Sequence, residues 1–149
     1  ARLQERLGGE LSAERIATLP ENELKAMFAA KPALHRFPGS MAGRTQQLCR
    51  HLVDHYDGDA AAVWRTAASA DDLLRRLEQL PGFGTEKARI FLAVLGKRLG
   101  VAPPGWQEAA TPFGDEVPRS VADADSPEAL EQVRAWKKQQ KAARKGKNG

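Results

Sequence analysis

Between Asp71 and Leu99 two helix-forming segments flank Leu80-Pro81-Gly82-Phe83-Gly84, and this arrangement narrows the possible folds more than any other stretch. Ser69-Ala70-Asp71-Asp72 has the spacing of a capping box, with acids in the first turn. Leu73, Leu77 and Leu80 then share one helix face, and Pro81 ends that helix. Thr85 is placed to start a second helix, with Ala88, Phe91, Leu92, Leu95 and Leu99 facing inward and Gly96 and Gly100 bracketing its end. Gly82 and Gly84 are expected to take backbone angles that a β-carbon opposes, so the chain can reverse within a few residues and approach a ligand closely. A helix start presents amides without intrahelical acceptors and the positive end of the dipole. The segment Gly82–Lys87 therefore has the makings of a phosphate cradle. A plain αα-corner has the same outline.

The rest of the chain predicts an all-α protein, because helical periodicity recurs and strand alternation does not. Ser12 is placed to cap a short helix ending before Pro20, and residues 21–30 set Leu24, Met27 and Phe28 on one face. Pro32 and Pro38 make Lys31 to Gly39 a loop. Ser40 is expected to cap a longer helix with the stripe Leu48, Cys49, Leu52 and Tyr56, ended by Asp57-Gly58. Asp59 can cap a short segment reaching Trp64. Residues 101–126, with Pro103, Pro104, Pro112 and Pro118, predict an irregular connection that Trp106 and Phe113 pack down. Ser126-Pro127-Glu128 starts a last helix over 127–143 with Leu130, Val133 and Trp136 on its apolar face. Residues 144–149 are expected to be a disordered basic tail. A helical domain over 1–100 with its hairpin at 71–99 is the resulting organisation.

Charge is unevenly spread. Residues 134–149 hold seven basic side chains and no acid, whereas the remainder holds 16 basic and 19 acidic ones, a net of −3. Such a run suits phosphate neutralisation, and equally a solvated terminus. The single cysteine, Cys49, excludes an internal disulfide and a four-cysteine iron–sulfur cluster, and its place on an apolar stripe predicts a buried, inert thiol. No apolar run is long enough to span a bilayer and no secretory pattern opens the chain, so a cytoplasmic monomer without membrane association is expected. The chain opens on the body of a helix, Ala1 to Leu7, as if a longer protein began upstream. His51 and His55 lie one turn apart with no third ligand in view, so no metal is expected there.

The order Leu80-Pro81-Gly82-Phe83-Gly84-Thr85-Glu86-Lys87-Ala88 resembles the helix-hairpin-helix DNA-binding motif. With Arg36-Phe37-Pro38-Gly39-Ser40-Met41-Ala42-Gly43-Arg44 it is similar to the HhH-GPD base-excision DNA glycosylases, the group of endonuclease III and the adenine glycosylases. The likeness runs from about Pro20 to Leu99, roughly half the chain. It implies a DNA-glycosylase-like helical fold and a duplex DNA partner. Gly82 and Gly84 would shape the turn, the amides from Gly84 through Thr85 and Glu86 to Lys87 would meet phosphate, and Lys87 would add its charge. Arg44 would reach DNA, and a monovalent cation can sit on the turn carbonyls.

The likeness thins where catalysis would lie. The family's essential aspartate falls, at its usual spacing, on Pro104 and Gly105. The lysine of its bifunctional members falls on Glu86, with Lys87 turned by about 100° around the helix. A DNA N-glycosylase without lyase activity is thus implied if the chain is an enzyme, with Asp115 the candidate for the displaced acid and Glu108, Glu116 and Asp123 behind it. A non-catalytic hairpin module and a helical protein-interaction domain are the alternatives.

Overall fold

A computed structural model describes residues 1–147, and these are helical with loops, with no strand among them. The chain divides into two compact units: residues 1–65 with 80–82, and residues 66–79 with 83 onward. The division falls at 65/66, not at residue 100, because the hairpin helices cluster with the C-terminal elements.

In the first unit, α1 (Arg2–Arg6), α2 (Ala13–Thr18) and α3 (Glu21–Ala29) precede the long α4 (Pro38–Tyr56) and the short α5 (Ala62–Arg65). Helix α4 packs on α2 and α3. Leu7, Ile16, Leu24, Phe28, Ala42 and Cys49 form the core. Ser12 caps α2 by accepting from the Arg15 amide. Ser40, in contrast, does not cap α4: Phe37 is the N-cap and Pro38 takes the first helical position, where its missing N–H costs nothing. Gln46 lies buried on the inner face and donates to the Ile16 and Leu19 carbonyls at 3.1 and 2.8 Å. These are carbonyls that the end of α2 leaves without intrahelical donors. The sequence pattern of apolar residues passes over Gln46, yet it ties α2 to α4. Burial pushes the Cys49 thiol above its ordinary value, consistent with an inert core residue. Asp57 and Gly58 end α4 in left-handed backbone.

In the second unit, α6 (Ala70–Gln79) and α7 (Thr85–Arg98) are the hairpin helices. They bury Leu73 and Leu77 from α6, and Ala88, Leu92, Ala93 and Leu95 from α7. Leu99, expected inward, is 60% exposed because the helix ends at Arg98. The Ser69 hydroxyl accepts from the Asp72 amide, while the Asp72 carboxylate accepts from Ala68, one residue earlier than a regular box. That backbone bond, then Arg75, holds the Asp72 carboxyl below the usual range. The connection that follows is ordered. It carries α8 (Trp106–Ala109) and a 3₁₀ turn (Val121–Asp123), and it buries Trp106 and Phe113. Trp106 lies on the α7 backbone at Gly96, where an added Cβ would come within 2.7 Å of the indole. Gly96 is therefore a notch for this ring, not a helix end. Asp123 anchors the 3₁₀ turn: it pairs with Lys97 at 2.5 Å and accepts from the Arg119 and Ser120 amides.

Helix α9 runs from Pro127 to Lys147. It is started by Ser126, which accepts from the Ala129 amide. The expected end at residue 143 is thus passed, and Arg144 to Lys147 continue the helix; residues 148 and 149 lie outside the described residues. The run Gln139 to Lys145 contains no helix breaker, which accounts for the continuation. Val133 is buried and Trp136 half-buried, while Leu130 stays 38% exposed. No helix among the described residues is long and apolar enough to cross a membrane.

Candidate nucleic-acid interface

Helix α7 begins at Gly84, its N-cap, with φ −74° and ψ 173° and no side-chain cap. The first intrahelical bond runs from the Ala88 amide to the Gly84 carbonyl, 3.0 Å. The amides of Thr85, Glu86 and Lys87 precede it at the positive end of the dipole. Two glycines in this turn differ in what they require. Gly82 has φ 82°, a left-handed backbone that favours glycine. Gly84 is extended, and a Cβ there would meet nothing within 4 Å. The expectation that Gly84 needs a special backbone angle is therefore corrected. Neither its conformation nor its neighbours call for glycine, and serine or aspartate would cap α7 better. Glycine leaves the face of the first turn open to a ligand instead.

Thr85, Glu86 and Lys87 are exposed at this start. Lys87 Nζ lies 5.5 Å from the centre of the Phe83 ring, which meets Phe91 edge-on at 5.8 Å. Phe83 is half-buried in this small stack. Glu86 pairs with Arg144 of α9 at 3.3 Å, both side chains mostly exposed, so the pair is weak. Between α7 and α9 lies a groove of about 650 Å³, bordered by Arg89, Lys137, Lys141 and Arg144, with Phe113 and Trp136 among its apolar walls. Sequence reasoning placed the basic residues in a tail and did not join them to the hairpin. The signal was the spacing of Lys137, Lys141 and Arg144, which is that of one helix face.

Arg44 lies on α4 of the first unit, exposed beside Glu21, Lys25 and Gln47. Asp115 lies in the connection of the second unit. Both its oxygens accept from Arg119, at 2.9 to 3.2 Å. That guanidinium holds its carboxyl below the usual range. Asp115 is thus ionised at neutral pH, with its charge already compensated. Asp123, one of the alternative acids, is saturated by Lys97 and two amides. Pro104 and Gly105 are exposed just ahead of α8.

The His51 and His55 rings lie 4.3 Å apart, and burial, then His55, lowers the His51 imidazole below its ordinary value. No cluster of three or more His, Cys, Asp or Glu side chains forms among the described residues.

No protein-family model, curated protein or solved structure matches the chain. The all-helical class is a property of the structure itself, and the glycosylase family remains a resemblance carried by the residues from Arg36 to Ala88.

Proposed function

We propose that this chain is the DNA-binding part of a base-excision repair protein resembling a DNA N-glycosylase, and that it holds duplex DNA at the start of α7. The observation that carries this reading is Gly84: an uncapped helix start whose glycine has no conformational or steric reason within the protein. A phosphate seated there would receive the first-turn amides and the positive dipole end, with no side chain to displace. Lys87, already at this turn, would add a charge-assisted contact. Contacts of this kind fix position along a strand and carry no base identity.

Base flipping followed by hydrolysis of the N-glycosidic bond would further need a carboxylate beside the cationic sugar. Two observations favour the second reading, a hairpin module that binds without catalysing. Pro104 and Gly105 stand where the family's acid lies, and Asp115 is already matched by Arg119. Glu86 likewise stands at the lysine position, so no amine is placed there to form a Schiff base. Incubation with a panel of damaged duplexes is expected to form no abasic sites, and borohydride is expected to trap no protein on an abasic duplex above the background of surface lysines. Base release abolished by Asp115→Asn would restore Asp115 as the acid. Trapping lost specifically in Lys87→Ala would give that lysine the role denied to it here. Absence of any duplex binding would reduce the hairpin to an αα-corner and leave the helical interaction domain.

A further inference from the structure

Taking duplex binding at α7 as the footing, we infer that the groove between α7 and α9 is a second phosphate-binding track, which carries the same DNA backbone onward from the hairpin. Lys137, Lys141 and Arg144 stand at i, i+4 and i+7, so one face of α9 presents all three to the groove, and Arg89 enters from α7. Lys137 and Arg144 are separated by about 10 Å along the helix axis. Phosphates of one strand advance by about 3.4 Å each along the duplex axis but also wind around it, so the row spans about two of them.

Charge complementarity selects the occupant. Four cations border the groove against one carboxylate, Glu86. The Arg89 Nε is buried without a hydrogen-bond partner. The groove also opens beside Thr85 and Glu86, where a strand held by α7 would already lie. Its aromatic wall is committed to the protein: the Phe113 and Trp136 rings stand nearly perpendicular with centres 5.8 Å apart, and the Arg119 guanidinium lies 5.4 Å from the centre of the Trp136 ring. Those contacts fix α9 to the ordered connection, and they leave the groove to read backbone charge, not bases. Glu86 must give up Arg144 to the phosphate, and an exposed pair at 3.3 Å yields readily.

The test is fluorescence anisotropy of the whole chain with a short labelled duplex over a range of salt. Lys137→Ala/Lys141→Ala alters two exposed side chains, and circular dichroism checks that α9 persists. The slope of log affinity against log salt is expected to fall by about 0.9 for each contact removed, about 1.8 for the pair, and equally for duplexes of different sequence. Glu86→Gln is expected to tighten binding. An unchanged slope and affinity in the double variant, with Gly84→Asp still losing the duplex, would overturn the track and leave the hairpin standing. A flattened slope in the double variant, with Gly84→Asp binding normally, would keep the track and overturn the hairpin.

Discussion

Gly84→Asp is expected to leave the protein folded and to weaken duplex binding on the order of a hundredfold. Folding is spared because position 84 has an ordinary extended backbone and open space around a Cβ. Aspartate is moreover among the best N-caps, so α7 should gain slightly in stability. The same carboxylate accepts the first-turn amides and occupies the place proposed for phosphate. Like charge brought against the DNA backbone costs several kcal/mol, and about 1.4 kcal/mol corresponds to a factor of ten. A thermal melt and an anisotropy titration of the same sample read both effects. Stability rising as affinity collapses separates a blocked site from a damaged fold. Full affinity in a folded variant would remove the hairpin from the interface.

Gly114→Ala is expected to have the largest effect on stability, about 3 kcal/mol. A Cβ at Gly114 would stand 2.1 Å from the Gln107 carbonyl oxygen and 2.6 Å from its Cα. These are backbone atoms of α8, which cannot rotate aside. Moving α8 would also lift Trp106 from its notch at Gly96. The expected fall in Tm is about 10 °C, at a few degrees per kcal/mol for a chain of this length. Gly39→Ala, in the first turn of α4 with nothing within 4 Å of an added Cβ, is the control and is expected not to lower Tm. A Gly114→Ala protein melting within about 2 °C of wild type would mean that the connection is not packed as described.

How far the fold was legible depends on the kind of signal. Ser12, Asp57-Gly58 and Ser126-Pro127 act through local backbone chemistry, and helix boundaries fall where they predict. The apolar stripes of α6 and α7 were readable for the same reason, since a period of 3.6 needs only neighbours in sequence. Gln46, Gly96 and Gly114 were not readable. Each owes its place to a backbone or ring of another element, Gln107 for Gly114, Trp106 for Gly96 and the end of α2 for Gln46, and helical periodicity does not record it. Asp123 is similar, because its pairing with Lys97 depends on how the connection folds back. The site divides in the same way. The glycine turn stands out in the sequence, and the structure revises the reason for Gly84. The basic run was visible as composition, but its role beside α7 depends on α9 continuing as an ordered helix. Arg44 and Asp115 were reached through resemblance; Arg44 lies in the first unit, and Asp115 in the second is held by Arg119.

Backbone amide spectra of the isotopically labelled chain, titrated with a short duplex, read the proposed phosphate contact residue by residue. The largest shifts are expected at the amides of Gly84, Thr85, Glu86 and Lys87, reached at stoichiometric duplex and reduced as salt is raised. Binding that perturbs other regions while leaving these four amides in place would contradict it.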